Sequence, residues 1–312
     1  MKHLFIVNPK AGGHDRTEEI RQQAVSAFAA REDRFEVYTT TAPMDAAEKI
    51  RAEAASGEEL RVYSCGGDGT FNECVCGAVG LENVAVCPFP TGTGNDFCRM
   101  FGAEKDCFRD LDALLDGWAH PIDVIDCNGR MSVNICSVGI DARVGIDVHK
   151  YSRIPIIGGA AGYVVSLLVN VFKGLTSQMR VRCGDYSAEG KHTLVCACNG
   201  RYYGGGFNPS ADARPDDGVL DIYIVKGVGL LQAASLIGKY ASGRGGEVPE
   251  YVTRLQGTEL EVELDEEDVV NIDGEGLYTT SIRMKLLPGA LKLLVPATMH
   301  FFDDKKPALQ TV

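Results

Sequence analysis

The sequence is poor in positive charge. Its 312 residues contain 31 lysines and arginines against 43 aspartates and glutamates, which gives a formal net charge of −12. Nucleic-acid binders hold phosphates with a broad basic surface, so this balance argues against that class of protein. It equally argues against attachment to a membrane through a polybasic patch. We therefore expect no nucleic-acid partner.

Secretion signals and long apolar runs are also lacking. In the N-terminal stretch M-K-H-L-F-I-V-N-P-K the apolar run is too short for a signal peptide. Residues 154–172 carry no charge but are diluted by proline, glycine, serine and asparagine, whereas a membrane span needs ~20 mainly apolar residues. The pattern predicts a loop and then a helix at 160–174, too short to cross a membrane. That helix is either a buried core helix or one wall of an apolar ligand pocket.

The cysteines lack the spacing of a metal site or a disulfide framework. There are eleven, an odd number, and the pairs Cys74-x-Cys76 and Cys196-x-Cys198 match no zinc pattern. In a strand such a pair points to one face as small apolar side chains. We interpret the cysteines as reduced core thiols of a cytoplasmic protein.

Two patterns of secondary structure divide the chain. Strand-like and helical segments alternate as far as about residue 116, which predicts a parallel sheet covered by helices. Strand-like segments dominate afterwards, with helices only near 160–174 and 229–242. The alternating E-L-E-V-E-L (259–264), the polar D-E-E-D and the apolar V-V-N-I-D (269–273) together predict a hairpin whose turn is D-E-E-D.

The predicted fold is α/β with two domains. The first is a Rossmann-like three-layer nucleotide-binding domain over residues 1–120, with 297–312 packing back onto it. The second is a β-rich domain, an antiparallel sandwich, over residues 121–296. In parallel sheets ligands bind at the carboxyl ends of the strands, so the loops that follow the first-half strands are the candidate site.

Three of these loops are rich in glycine: N-P-K-A-G-G (8–13), C-G-G-D-G-T (65–70) and P-T-G-T-G-N-D (90–96). Each alone is compatible with a tight turn and a helix cap, with Thr70 and Asn95 as the capping residues. Three at one sheet edge favour a cradle for a polyphosphate, held by main-chain N–H groups. Asp68 would repel a bare phosphate, which suggests a metal ion between the two.

The usual nucleotide-binding fingerprints are absent. The sequence contains neither G-x-x-x-x-G-K-[ST] nor G-x-G-x-x-G after a strand. This excludes a P-loop enzyme and an ordinary Rossmann dehydrogenase.

The motifs that are present resemble a known family. The three loops occur together with G-G-D-G-T-F-N-E, P-I-D-V (121–124), N-G-R-Y-Y-G-G-G, A-R-P-D-D-G-V-L-D and I-D-G-E (272–275). In order and spacing, over residues 3 to about 296, this set resembles the diacylglycerol kinase catalytic-domain family, especially its soluble bacterial lipid kinases. Sphingosine and ceramide kinases share it more distantly, and G-G-D-G-T alone also resembles NAD kinases.

The resemblance implies an α/β nucleotide domain followed by a β-rich domain, with ATP and a lipid headgroup meeting in a cleft. It places ATP on the following residues: Asn8, Pro9, Lys10, Ala11, Gly12, Thr40, Gly66, Gly67, Asp68, Gly69, Thr70, Phe71, Asn72, Thr93, Asn95 and Asp96. Thr39, Thr40 and Thr41 are consecutive, and the spacing to Asp45-Ala46 favours the middle one, Thr40. Many relatives carry a basic residue where this chain has Gly13. Lys10 or Arg16 supplies that charge, or the phosphate affinity is weaker.

The resemblance also implies Mg²⁺ and a catalytic carboxylate. Mg²⁺ would be held by the Asp217 carboxylate and the carbonyls of Arg214 and Val219, within a water-linked acidic network of Asp68, Asp123 and Asp217. A plain turn is the alternative for P-D-D-G-V. Asp273 or Glu275 would take the proton of the lipid hydroxyl. We favour Asp273 as the base with Glu275 positioning it, although Asp273-Gly274 is equally compatible with a hairpin turn.

The resemblance therefore predicts a lipid kinase that converts diacylglycerol to phosphatidate with ATP and Mg²⁺. The alternatives are a kinase of another lipid or soluble alcohol, such as a sphingoid base or NAD, and a non-catalytic lipid-binding relative. Such an enzyme would be cytoplasmic and would contact the membrane surface transiently. The segment around Lys150, Tyr151, Arg153 and Ile154 is a candidate for that contact. Dimers occur among relatives, so a homodimer is compatible with the resemblance.

Overall fold

The computed structural model describes residues 1–92, 94–151, 169–170 and 174–303, without the side chains of residues 148–151 and Ala234. The predicted helix at 160–174 falls almost wholly outside these ranges, as do Thr93, Arg153 and Ile154. The chain divides into two compact units. Unit 1 comprises Met1–Pro121 with the segment from Leu291 onward, and unit 2 comprises Ile122–Ala290.

The strands, in chain order, are β1 (Lys2–Val7), β2 (Arg34–Thr39), β3 (Leu60–Gly66), β4 (Val84–Pro90), β5 (Trp118–Cys127), β6 (Arg130–Ser132), β7 (Ile135–Gly139), β8 (Ser177–Cys183), β9 (Tyr186–Cys198), β10 (Leu220–Lys226), β11 (Val252–Gly257), β12 (Glu259–Ile272) and β13 (Glu275–Val295). The α-helices are α1 (Thr17–Phe28), α2 (Asp45–Ala54), α3 (Asp68–Ala78), α4 (Asp96–Arg99), α5 (Leu111–Leu115), α6 (Ile140–Tyr151) and α7 (Leu230–Tyr240). Short 3-10 helices span Ala11–Gly13, Gly102–Arg109 and Gly245–Glu247.

Unit 1 is built on a parallel sheet in the order β2-β1-β3-β4, and the end of β13 pairs in parallel with the outer side of β4. Every residue of β4 is buried, and β1 and β3 are buried at all but one position each. Continuous apolar strands of this kind are typical of parallel sheets with both faces covered. The alternation of strands and helices in the sequence thus predicted the pairing correctly.

Unit 2 is an antiparallel β structure. Its strands pair in the order β11-β10-β9-β7-β12-β13, and β8 pairs with both β9 and β12. Residues of β9 alternate between two apolar clusters: Val195 and Ala197 belong to one, and Leu194, Cys196 and Cys198 to the other. Because side chains alternate along a strand, both faces of this sheet are buried. The predicted fold class, α/β followed by antiparallel β, is confirmed.

The predicted hairpin with D-E-E-D as its turn is wrong. Residues 259–272 form the single strand β12, and D-E-E-D lies within it. Glu263 pairs with Ser281, and Asp268 pairs with Thr279. Between these two pairs the chain advances by five residues on β12 but by only two on β13. A bulge absorbs the extra residues. Asp265, Glu266 and Glu267 are exposed there, while Asp268 contacts Arg143 and accepts a hydrogen bond from Ser177, so exposure and these contacts rather than a turn explain the polarity. The real turn is Asp273-Gly274, between β12 and β13.

Within the described residues, none of the helices combines the length and the apolar character that crossing a membrane requires.

Candidate active site

The three glycine-rich loops of unit 1 meet at the carboxyl edge of its parallel sheet. The main-chain N–H groups of Thr91 and Gly92 both donate to the carbonyl of Gly66, over 3.0 and 2.9 Å. Asp68 donates its N–H to the carbonyl of Gly94, over 3.2 Å. The second and third loops are therefore joined by main-chain hydrogen bonds rather than by side chains.

The first loop belongs to the same cluster. The Asn8 N–H donates to the carbonyl of Cys65 over 3.1 Å, and the Asn8 side-chain amide donates to Thr70 Oγ1 over 3.1 Å. The Asn8 Oδ1 accepts the N–H of Lys10 over 3.0 Å, which fixes the start of the loop. Thr40 lies beside it, because its N–H donates to the carbonyl of Val7 over 2.9 Å. Asn8 thus ties the first loop to the second.

The close approach of the loops requires glycine. A Cβ on Gly66 would lie 2.3 Å from Thr70 Oγ1, and one on Gly92 would lie 2.8 Å from the main-chain N and Cα of Gly67. Gly12 has a φ of 66°, and a Cβ there would be 2.9 Å from the carbonyl oxygen of Thr91. These contacts leave no room for a side chain, so the main chain itself lines the loop cluster.

Helix α3 begins inside this cluster and points main-chain donors toward it. The N–H groups of Gly69 and Thr70 lie in its first turn and donate to no acceptor among the residues that the structure describes. Such donors, with the helix dipole, attract anions and phosphate in particular. Thr70 is not the cap that the sequence predicted: the helix starts at Asp68 after Gly67, and the Thr70 hydroxyl accepts from Asn8.

Asp68 faces a second short helix. Its carboxylate accepts the N–H of Asp96 over 3.0 Å and the N–H of Phe97 over 3.4 Å, at the start of α4. These donors offset part of the negative charge, which explains how a carboxylate can stand in a phosphate-type loop. Asn95, predicted to cap this helix, makes no capping bond, and its side-chain amide donates to the carbonyl of Gly92 over 3.0 Å.

The remaining predicted ATP residues differ in their surroundings. Phe71 is buried, with its ring centroid 4.8 Å from that of Phe97, so its side chain serves the core of unit 1. Asn72 lies on α3 and accepts from the Cys76 thiol. Lys10, the candidate for the missing basic residue, is exposed, and the described residues form no salt bridge with it. Thr93 lies outside the described residues.

In unit 2 the motif I-D-G-E forms the turn between β12 and β13. Ile272 pairs with Glu275, and the two residues between them have φ values of 49° at Asp273 and 95° at Gly274. Two left-handed residues in a two-residue loop are the signature of a type I′ hairpin, for which Asp-Gly is a preferred sequence. The motif is therefore a hairpin turn, as one of the two sequence interpretations had it.

The Asp273 carboxylate is enclosed by donors. Its Oδ1 accepts the Ser132 hydroxyl over 2.7 Å and the N–H groups of Asn134 and Ile135 over 3.1 and 3.0 Å. Its Oδ2 accepts the N–H of Val133 over 2.7 Å. A carboxylate has about four lone-pair sites, so these donors occupy most of its capacity. Asp273 thereby holds the segment between β6 and β7 in place.

Glu275 differs sharply from Asp273 although only one residue separates them. Its side chain is exposed, and no described residue forms a hydrogen bond or a salt bridge with its carboxylate. It is the first residue of β13 and directly follows the turn that Asp273 anchors. Of the two acids of the motif, Glu275 is the one whose carboxylate is available to an incoming group.

Asp123, on β5, connects the P-D-D-G-V segment of unit 2 with β13. Its Oδ2 accepts the N–H of Gly218 and its Oδ1 the N–H of Gly289, each over 2.8 Å. Its own N–H donates to the carbonyl of Pro215 over 2.6 Å. One carboxylate oxygen of Asp123 and its main-chain N–H therefore hold the P-D-D-G-V segment, while the other carboxylate oxygen binds the main chain of β13.

The P-D-D-G-V segment contains two aspartates with different surroundings. Asp216 is held by the Arg214 guanidinium in two hydrogen bonds, over 3.0 and 3.2 Å. Asp217 is open to solvent although neighbouring atoms cover part of its carboxylate, and its Oδ1 accepts the N–H of Val219 over 3.0 Å. Partial burial raises the pKa of Asp217, the Val219 N–H opposes this, and nearby carboxylates, Asp123 first among them, raise it further. Negative charge is thus concentrated at Asp217.

The predicted magnesium ligands fit this chemistry in part. Mg²⁺ prefers oxygen ligands from one or two carboxylates and keeps several waters. Asp217, with the carbonyls of Arg214 and Val219 in the same turn, offers such donors. Within the described ranges no group of three histidine, cysteine or acidic side chains stands ready as a metal site. A bound ion would accordingly depend on Asp217, main-chain carbonyls and water.

Asn199 links β5 to the segment between β6 and β7 and was not singled out from the sequence. The Asn199 side-chain amide donates to the carbonyls of Asp123 and Val133, over 2.9 Å each. Its N–H donates to the carbonyl of Asn134, also over 2.9 Å. Asn199 stands in the quoted motif N-G-R-Y-Y, but its partners lie 66 and 76 positions away in the chain. Only the fold could reveal them.

Comparison with known proteins agrees with this arrangement. The sequence profile of the diacylglycerol kinase catalytic domain matches residues 2–127, and that of the YegS C-terminal NAD kinase beta sandwich-like domain matches residues 134–295. A Pseudomonas aeruginosa protein named "probable lipid kinase YegS-like" is 32% identical over 299 residues, 95% of each chain. The chain belongs to the diacylglycerol kinase catalytic-domain family. It is therefore a kinase of the lipid-kinase type, and membership implies the use of ATP.

Solved structures lead to the same family. A crystal structure titled as a "putative diacylglycerol kinase" from Bacillus anthracis has a TM-score of 0.72 and 26% sequence identity, covering 96% of this chain and 98% of that one. A yeast NADH kinase in complex with NADH has a TM-score of 0.50 at 9% identity, covering 100% of this chain and 90% of that one. At that identity the likeness concerns the fold alone.

Proposed function

We propose that the protein transfers the γ-phosphate of ATP to the hydroxyl group of a diacylglycerol-like lipid, with Mg²⁺, to form a phosphatidate-like product. The observation that carries the proposal is the cluster of three glycine-rich loops at the sheet edge of unit 1, in a chain of the lipid-kinase family. The proposal includes a cytoplasmic protein that reaches its lipid at the membrane surface.

Unit 1 supplies the triphosphate site. Main-chain N–H groups in the first turn of α3, those of Gly69 and Thr70, would donate to phosphate oxygens. The first loop, from Asn8 to Gly12, would cover the phosphates, and exposed Lys10, within this loop, would supply a positive side chain. Asp68 orients the third loop through the start of α4, so we assign it a positioning role rather than direct contact with the phosphates.

Unit 2 supplies carboxylates in three roles. Asp217, with the carbonyls of Arg214 and Val219, would hold Mg²⁺, while Asp123 and Asn199 keep that turn in place. When bound, the ion would neutralise charge that develops on the phosphates. Asp273 positions the segment of residues 132–135 and the hairpin turn. Glu275, whose carboxylate has no protein partner among the described residues, would be the general base.

The reaction balances as follows. The acceptor hydroxyl oxygen forms a bond to the γ-phosphorus, and its proton passes to the Glu275 carboxylate. The bond between the γ-phosphorus and the β–γ bridging oxygen breaks, which releases ADP. Phosphoryl transfer demands little of a base beyond position, so an exposed glutamate is sufficient.

A panel of acceptors tests the proposal. Purified protein with radiolabelled ATP and Mg²⁺ is offered diacylglycerol in mixed micelles, a sphingoid base in mixed micelles, and NAD in buffer. We expect label in the diacylglycerol product. Label only in NAD would favour the soluble-acceptor alternative, and label in none of them, with intact ATP binding, would favour a non-catalytic lipid-binding protein. Either of these outcomes overturns the proposal.

A further inference from the structure

Helix α7 has one buried and one exposed apolar face. Leu236 and Tyr240 are buried in the cluster of apolar residues formed by β9, β10 and β11, with Ala233 packed against it. On the remaining surface Leu230 is 57% exposed, Leu231 87% and Ile237 39%. An ordinary surface helix carries its large apolar residues on the core side alone, so the outer face of α7 is unusual.

No other described element carries a group of exposed large apolar residues. The other exposed large apolar residues are Met1, Val25, Met44 and Tyr278, and each stands alone at the N-terminus, on α1, before α2 and on β13. Single exposed apolar side chains are normal in soluble proteins, whereas clustered ones mark contact surfaces.

The charges around α7 are also distinctive in a chain of net charge −12. The helix contains no acidic residue, and its only charged side chain is Lys239. Exposed Lys191 and Lys226 lie where the chain enters the helix, because the Gly227 N–H donates to the Lys191 carbonyl over 2.7 Å. Exposed Arg244 follows the helix. Among the described residues none of these three forms a salt bridge.

The acidic residues that follow α7 in the chain, Glu247 and Glu250, do not neutralise these cations. Glu247 lies 3.8 Å from the Lys239 ammonium group, so these two charges offset each other. Lys226 donates to the main-chain carbonyl of Glu250 over 3.3 Å rather than to its carboxylate. The surroundings of α7 thus keep unpaired cations beside exposed leucines.

We infer that the outer face of α7, with Leu230, Leu231 and Ile237, docks onto the surface of an anionic phospholipid bilayer. This rests on the proposed function, in which the acceptor is a membrane lipid. Apolar side chains that enter the boundary between headgroups and acyl chains, flanked by lysine and arginine, are the pattern of a helix lying in a membrane interface. A second protein copy fits less well, since three large apolar residues are far fewer than the ~20–30 residues per side of a stable protein interface.

Vesicle binding tests the inference. The full-length protein is mixed with vesicles of phosphatidylglycerol and phosphatidylcholine, and the bound fraction is measured by flotation. The variant Leu230→Gln/Leu231→Gln should bind about tenfold more weakly, because two exposed leucines no longer leave water. Val25→Gln is the matched control, since Val25 is 56% exposed on α1, and it should bind like the native protein. Lys191→Ala/Lys226→Ala should weaken binding to these anionic vesicles but not to vesicles of phosphatidylcholine alone.

A second measurement separates this inference from the proposed function. Activity is measured with a short-chain diacylglycerol that is monomeric in buffer, and with long-chain diacylglycerol in vesicles. The leucine variant should keep the first activity and lose most of the second. If the native protein phosphorylates neither lipid, the proposed function fails. If it phosphorylates both and the leucine variant still binds vesicles fully, the docking inference fails.

Oligomeric state gives a third readout. Size-exclusion chromatography of native protein and leucine variant, without lipid, should give the same elution volume. A native dimer that the leucine substitutions convert to a monomer would identify the face as a subunit contact and overturn the inference.

Discussion

The two units of this protein build their candidate sites from different parts of the chain. In unit 1 the main chain lines the site, because Gly66, Gly67 and Gly92 pack against one another with no space for a Cβ. In unit 2 carboxylates form the site, and main-chain N–H groups hold Asp123 and Asp273 in place. The first arrangement is suited to an anion and the second to a cation and a proton. The proposed reaction would use both.

This contrast has a consequence for substitutions. In unit 1 function and packing depend on the same atoms, so a change should disturb both. In unit 2 they are divided between neighbouring residues, since Asp273 is enclosed and Glu275 is exposed. The following predictions test that division.

The largest effect is expected at Glu275. Glu275→Gln removes the proposed base, and we expect kcat to fall by about 10²–10⁴-fold, the usual contribution of general-base catalysis. The melting temperature should not change, because the side chain has no protein partner in the described structure. Steady-state kinetics and thermal unfolding measure the two quantities. A variant with unchanged kcat would show that Glu275 is not the base.

The next effect concerns the main chain of unit 1. In Gly92→Ala the new Cβ would lie 2.8 Å from the main-chain N and Cα of Gly67, and neither atom can move without displacing the loop. We expect kcat/KM for ATP to fall about a hundredfold, because a misplacement of about 1 Å in positioning groups can reduce the rate by that factor. Activity measured across an ATP titration gives this quantity. Gly246→Ala is the control, because nothing lies within 4 Å of a Cβ there, and it should keep the native kcat/KM.

Asp273 should affect stability more directly than Glu275. Asp273→Asn places an amide N–H₂ group among four donors, and we expect a loss of about 2–3 kcal/mol in the free energy of unfolding. Urea unfolding measures it, with Asp265→Asn on the exposed part of β12 as the control. If Asp273→Asn abolished kcat with full stability, the roles of the two acids would be the reverse of those proposed here.

A smaller effect is expected at the proposed ion site. Asp217→Asn should raise the Mg²⁺ concentration needed for half-maximal activity about tenfold, since a carboxylate ligand becomes a neutral one. Activity measured across a Mg²⁺ titration tests this. Asp185→Asn, at an exposed turn of unit 2, should leave the titration unchanged. Equal Mg²⁺ dependence in both variants would remove Asp217 from the site.

The smallest effect is a pH dependence within unit 1. His3 is buried, with Nδ1 2.8 Å from the Tyr63 hydroxyl, and burial lowers its pKa to about 4 from an ordinary value of 6.5. Because the unfolded chain binds the proton more tightly, His3 costs stability as the pH falls from about 6.5 toward 4. His3→Gln should therefore lose about 2–4 °C less in melting temperature between pH 7 and 5.5 than the native protein. His14→Gln, at an exposed position, should behave like the native protein.

Sequence reasoning succeeded where the chain demands a particular backbone. The loops at 8–13, 65–70 and 90–96 could be located because only glycine permits their contacts, and strand–helix alternation implied the parallel sheet that gathers them. The predicted helix near 229–242 is present as α7 (Leu230–Tyr240). These features depend on local pattern, which a sequence states directly.

Sequence reasoning failed where a residue's contacts are made with residues distant in the chain. D-E-E-D has the composition of a turn, yet a bulge keeps it within β12 because its neighbours on β13 continue the pairing. Thr70 has a capping side chain, yet Asn8 binds it. Whether Asp273 or Glu275 is available depends on donors at 132–135, some 140 positions earlier. A sequence pattern contains no information about such donors.

The buried thiols make the two units separately observable during unfolding. All eleven cysteines are free, and only Cys76 and Cys107 are even partly exposed. Both belong to unit 1, whereas the five cysteines of unit 2 are all buried. A thiol reagent should therefore label two sites at once in the native protein, and each later step of labelling should report, by its mapped positions, which unit opens first.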